Sequence, residues 1–173
     1  MLRKFNLPEY TQIKDTFIDI FPSVQDIDFA TVSLFDDTTA QILKIKERGV
    51  ESWIGQSDIS SGMHRTLLQI IALNLAIDGD IILIDEFENG LGINCINILA
   101  DYIINPDADI QVIMTSHHPY IINSIPVNRW NIVTRDISDI HIYTASDLNI
   151  GQHSHHDAFM QLLQTSQFKT GDK

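Results

Sequence analysis

Two carboxylates stand side by side at the end of an apolar run in Ile81-Ile82-Leu83-Ile84-Asp85-Glu86. A hard cation such as Mg²⁺ takes one or two carboxylate oxygens together with phosphate oxygens and waters, a demand Asp85 can help meet. A second carboxylate beside it can hold and polarise an attacking water, the role open to Glu86. The plain alternative is a strand end where acids simply meet solvent. A second cluster, Thr115-Ser116-His117-His118-Pro119, closes another apolar run. There His117 can contact a terminal phosphate or the attacking water, or a histidine can merely bond a helix start. Zinc is discounted, because no acid or cysteine stands at ligand spacing beside the histidine pair. A third cluster, Ile59-Ser60-Ser61-Gly62-Met63-His64-Arg65, precedes a long apolar stretch. Backbone N–H groups at a helix N-terminus, with small residues and a hydroxyl, make an anion site. Ser60 or Ser61 as an ordinary N-cap accounts for the same residues without a ligand.

The elements that must position these clusters follow from hydrophobic periodicity. Residues 9–21 place Ile13, Phe17, Ile20 and Phe21 on one helical face, and Pro22 stops the helix. Two β-rich runs flank Asp36-Asp37-Thr38-Thr39, which reads as a hairpin with a polar turn, and the stretch from Trp53 to Gly62 reads as a loop. From Gly62 the spacing predicts a mostly buried helix ending at Gly79. The run from Ile81 to Ile84 predicts a parallel strand buried on both faces. A helix over 93–104, a second buried strand ending at Thr115-Ser116, and a helix from Pro119 complete the middle. Helix, strand, helix, strand, helix implies a parallel α/β sheet, in which ligands sit outside the carboxyl ends of the strands. Beyond it, an antiparallel strand pair and a last short helix are expected. Trp53 and Trp130 read as packing residues.

The 173 residues allow one domain with a real core, and a composition of 44% hydrophobic and 20% charged residues is that of a globular protein. Eleven basic against 23 acidic residues give a formal charge of −12, which repels phosphate backbones and argues against direct nucleic-acid binding by this chain. A single cysteine, Cys95, precludes an internal disulfide framework and suits a reducing cytoplasm. The first ten residues lack the apolar run of a signal peptide, and no stretch has the length needed to span a bilayer.

Taken together, the Ser60–Arg65 segment, the Asp85–Gly92 segment and Thr115–Pro119 resemble, in order and interval, the signature, the Walker B strand with its D-loop, and the switch-histidine loop of the ABC ATPase superfamily. The likeness is to the recombination-repair and OLD-like branch of soluble AAA-family ATPases, and it covers roughly residues 59–123. It implies the C-terminal half of an ABC-type P-loop fold, with parallel core strands flanked by helices and β-hairpins before and after. It implies ATP and Mg²⁺ as cofactors. Asp85 would help place the metal, Glu86 would be the catalytic base, and His117 would be the switch histidine at the γ-phosphate. Ser60, Ser61 and Gly62 would serve a nucleotide held by the opposite protomer, and Glu88, Asn89 and Gly90 would be the D-loop at a dimer interface. Ser61 replaces the first glycine of the usual signature, Met63 replaces its glutamine, and Gly92 stands where the branch often has histidine.

A phosphate-binding loop G-x-x-x-x-G-K-[ST] is missing: none of the eight glycines is followed by lysine. The expectation is therefore a single incomplete ATPase domain over 1–173, in three segments: 1–58 leading in, 59–123 carrying the motifs, and 124–173 of C-terminal strands and helix. A Walker A-bearing N-terminal half would complete it, whether the chain is a split subunit, a truncation or a degenerate remnant. By analogy with the branch, the role would lie in DNA repair or antiphage defence beside a nuclease or toxin. The competing reading is a non-catalytic module that docks a partner. A metal-dependent nuclease using Asp85, Glu86 and the histidines 153, 155 and 156 is a weaker third.

Overall fold

The structure is a computed structural model and describes residues 8–33, 38–106, 108–151 and 155–165. The turn expected at Asp36-Asp37 lies outside the described residues, as do His153 and the side chains of His155 and His156. The chain folds as two compact units, Met1–Thr115 and Ser116–Lys173. The division falls inside the 59–123 stretch that carries all three motifs.

The first unit begins with helix α1 (Pro8–Ile20), which opens on a proline already set to helical φ. Three of the four residues of its expected face are buried, Ile13, Phe17 and Ile20 being at most 4% exposed; Phe21 falls just past the helix and is half-buried, its ring tilted 49° against that of Phe17 with centroids 4.9 Å apart. Strands β1 (Val24–Ser33) and β2 (Thr39–Glu47) pair antiparallel, with Ile27 opposite Ile45 and Phe29 opposite Leu43. Charge is matched along the same pair. Lys44 reaches Asp28 at 3.3 Å, and Lys14 of α1 reaches Asp26 at 2.7 Å. The Asp26 hydrogen bond raises the Lys14 pKa above its ordinary value.

The stretch expected to be a loop before Gly62 is partly ordered. Strand β3 (Ile54–Gly55) adds to β2, and residues Gln56–Asp58 form a 3₁₀ turn. The reason is the open edge of β2: the Gln56 side-chain oxygen accepts the Leu43 N–H at 3.2 Å, and Lys44 lies over the Trp53 ring at 4.5 Å.

Helix α2 (Ser61–Asn74) stops five residues short of Gly79. Asp80 explains the early end. Its carboxylate accepts the Ile77 N–H at 2.9 Å and its own N–H bonds the Ile77 carbonyl, a side-chain-supported turn that competes with continued helix. The helix buries Thr66, Leu67, Ile70 and Leu73 but leaves Leu68 53% exposed, so it is half-buried and not mostly buried.

Strands β4 (Ile81–Ile84) and β5 (Gln111–Met114) pair parallel through the crossover helix α3 (Ile93–Ile104), the expected α/β architecture. Burial on both faces is overturned. Ile84 is buried, yet Ile81 and Leu83 are 61% and 73% exposed and Ile113 is 51% exposed. Alternation along in-register strands puts these three on one side. Among the described residues the parallel sheet has only two strands, and no layer covers that side.

The second unit starts with helix α4 (Pro119–Ser124) and a 3₁₀ turn at Val127–Arg129. Strands β6 (Asn131–Asp136) and β7 (Asp139–Thr144) then form an antiparallel hairpin, and helix α5 (His155–Gln164) follows. Ala145, Ile150, Ala158 and Leu162 form its core, with Val127, Trp130, Ile132 and Leu148 packed against them. Trp130 is a packing residue as expected, and its indole N–H donates to the Ile125 carbonyl at 3.0 Å. One face of the hairpin, Val133, Ile140 and Ile142, is exposed. No helix of the described residues is long and apolar enough to cross a membrane.

Candidate active site

The acid pair sits where β4 ends, and the backbone there is unusual. Glu86 has φ +46°, in the left-handed region that a residue with a Cβ enters at a cost of order 1 kcal/mol. Three sets of contacts hold it. Phe87 is fully buried and anchors the segment on its far side. Thr115, at the end of β5, donates its hydroxyl to Asp85 Oδ1 at 2.7 Å and accepts the Glu86 N–H at 2.7 Å. Its backbone continues the match: Thr115 N–H donates to the Ile84 carbonyl, and the Thr115 carbonyl accepts Phe87 N–H at 3.0 Å. The third contact is Arg65 of α2, whose Nη2 donates to the carbonyls of Asp85 at 2.8 Å and Glu86 at 2.9 Å.

Asp85 and Glu86 are both exposed. The Glu86 carboxylate is aimed by Asn89, whose side-chain amide donates to Oε2 at 2.9 Å, while the Asn89 N–H bonds the Glu86 carbonyl at 2.9 Å. Leu91 N–H then bonds the Glu88 carbonyl, and Gly90 makes the turn at φ +73°. Glu88, Asn89 and Gly90 thus form one tight turn running directly out of the acid pair.

The Ser60–Gly62 segment lies against that turn. Ser60 caps α2, its hydroxyl accepting the Met63 N–H at 3.2 Å, so the capping role is real. Capping satisfies one of the first-turn donors; those of Ser61 and Gly62 have no partner within the helix and sit at its exposed, electropositive end. Gly62 is required sterically: a Cβ there would come within 2.6 Å of the Gly90 carbonyl oxygen. Ser60, Ser61 and Gly62 are thereby brought together with Asp85, Glu86 and Gly90 in the first unit.

His117 belongs to the second unit, where it is exposed just ahead of α4. The helix-start role falls to its neighbour. His118 accepts the Tyr120 N–H on Nδ1 at 3.3 Å and donates its own N–H to Ser116 Oγ at 3.1 Å. That leaves His117 outside the cap.

As a donor set, an exposed aspartate with a threonine hydroxyl beside it fits Mg²⁺, which asks for few protein oxygens and keeps phosphate and water as its other partners. Among the described residues no three of His, Cys, Asp and Glu converge, so the acids do not form a protein-only cage. Cys95 supplies no nucleophile: it is buried in α3 and burial raises its thiol pKa. Two contributors escape a reading from spacing alone, Arg65 and Thr115. Both stand inside the quoted motifs. Nothing in the one-dimensional pattern says that Arg65 reaches back to carbonyls some twenty residues away, or that Thr115 ties two strands at their tips.

A family model described as "AAA domain, putative AbiEii toxin, Type IV TA system" matches residues 2–123, well over half of the chain. No curated protein matches by sequence. Among solved structures, a chain from work on "Structural biochemistry of ATP-driven dimerization and DNA stimulated activation of SMC ATPases" superposes with a TM-score of 0.63 at 13% identity. The match spans 93% of this chain and 92% of that one. At that identity it establishes the fold.

Proposed function

The chain belongs to this AAA-domain family of P-loop ATPases, and from that premise we propose that it contributes Walker B, signature and switch histidine to a composite ATP site. The observation that carries the reading is the tip of β4 and β5, where Thr115 fixes Asp85 and the Glu86 backbone together. Members of this family generally bind ATP with Mg²⁺. Asp85 would hold the metal, which supplies charge neutralisation at the phosphates when bound. Glu86 orients and deprotonates the attacking water, with Asn89 fixing the direction of its carboxylate. His117 contributes a hydrogen bond at the γ-phosphate. Ser60, Ser61 and Gly62 present N–H groups to a nucleotide on the opposite protomer.

The sequence has no phosphate-binding lysine loop, so the cradle comes from a Walker A-bearing half, either a segment ahead of this one or a separate subunit. The open side of the parallel sheet supports that need. Ile81, Leu83 and Ile113 are exposed on strands of a kind that is ordinarily covered on both faces. The SMC work concerns ATP-driven dimerization, and a dimer with the signature acting in trans is the corresponding arrangement for this chain. A cytoplasmic role in DNA repair or antiphage defence, beside a nuclease or toxin, follows the same line. The −12 charge assigns any nucleic-acid contact to the partner.

The test is MgATP binding and turnover by the chain, alone and with the Walker A-bearing half. Turnover should appear only in the pair, and Glu86→Gln should reduce it by about 100-fold or more while leaving nucleotide bound. A pair that assembles without binding nucleotide would replace this reading with that of a non-catalytic docking module.

A further inference from the structure

The beginning of α2 grips the acid segment at both of its ends. At one end, Arg65 Nη2 donates to the carbonyls of Asp85 and Glu86. At the other, the Gly62 backbone lies so close to the Gly90 carbonyl that no Cβ fits between them. Residues 85–90 are therefore strapped across the first turns of the same helix whose cap, Ser60, marks the signature. A guanidinium shared between two carbonyls is a stiff link, because its donors are coplanar and always charged. Glu86 needs such a link: its left-handed backbone is held against an intrinsic preference to relax.

Resting on the composite-site reading above, we propose that Arg65 is the positioning residue for Glu86, and that it couples the α2 N-terminus to the acid pair. Through Arg65 and the Gly62–Gly90 contact, the start of α2 restrains the Glu86 backbone. Arg65 acts through the backbone of Glu86.

The experiment compares wild type, Arg65→Ala and Arg65→Lys in two measurements. The first is amide hydrogen exchange on the full chain without nucleotide. Arg65→Ala should speed exchange at Glu86–Leu91 by about tenfold or more, leave the β1–β2 amides protected, and be partly reversed by lysine. The second is turnover with the Walker A-bearing half. There Arg65→Ala should lower kcat by about 10- to 100-fold with KM within about twofold, and lysine should recover part of the loss. Wild-type exchange at Glu86–Leu91 in Arg65→Ala would overturn the proposal. So would loss of β1–β2 protection in both variants, which would make Arg65 a folding residue. If Glu86→Gln leaves turnover intact, the catalytic reading fails by itself, while the exchange result still decides the role of Arg65.

Discussion

The antiparallel sheet β1–β2–β3 and the parallel pair β4–β5 both place isoleucines at their centres, yet these end in opposite conditions. Ile27 and Ile45 of the first are 1% exposed under α1. Ile81, Leu83 and Ile113 of the second are more than half exposed. The difference lies in what each sheet finds within reach. The hairpin closes locally, is covered by the helix just before it, and matches its charges with Lys14–Asp26 and Lys44–Asp28. The parallel pair is reached through a crossover helix, has two strands among the described residues, and is covered on one face only. Each of its exposed side chains would contribute about a further 1–2 kcal/mol if fully buried. That unused apolar area lies beside the acid pair, so the part of the unit that carries chemistry is the part that needs a further layer. The self-sufficient region serves as the platform.

The comparison breaks most readily on the platform side. Phe17→Ala should cost about 3–5 kcal/mol, read as a large fall in the unfolding midpoint, because a fully buried ring is removed from a closed core. A loss below about 1 kcal/mol would mean that the hairpin region is not the stable half. Gly62→Ala sharpens the site side. The new Cβ meets backbone and not a flexible side-chain end, so the Asp85–Gly90 segment must shift. Turnover of the completed enzyme should fall by about tenfold or more, against a stability loss of about 1–3 kcal/mol. Unchanged turnover would show that the signature and the D-loop move independently.

The smallest stability effect is expected at Leu83. Leu83→Ser should change the stability of this chain by no more than about 0.5 kcal/mol, since the side chain is 73% exposed. Its association with the Walker A-bearing half should nonetheless weaken measurably by calorimetry. If Leu83→Ser destabilises the chain as Phe17→Ala does, the two sheets are not different in kind.

Much was legible in the residues themselves. Apolar period fixed the buried face of α1 at Ile13, Phe17 and Ile20, and the extent of α3. The order strand, helix, strand implied the parallel pairing of β4 with β5. These features are local: each depends on side chains within a few turns or along one strand. Of the three polar clusters at element ends, the Ser60–Arg65 segment, the Asp85–Gly90 segment and Thr115 meet in the first unit. What escaped depended on neighbours. The end of α2 was set by Asp80 turning back on Ile77, a choice between two local hydrogen-bonding schemes that periodicity does not rank. The burial of β4 was overestimated because an apolar run records what a strand requires, not whether that requirement is met.

The sequence by itself determined the chemistry on offer: which groups could ligate a cation, orient a water or receive an anion, and in what order they follow along the chain. Tertiary structure alone decided that Arg65, Gly62, Thr115 and the Asp85–Gly90 turn form one connected device. Hydrogen bonds between residues twenty or thirty positions apart have no periodic signature, and a glycine needed for a 2.6 Å approach looks like any other glycine until its neighbour is in place.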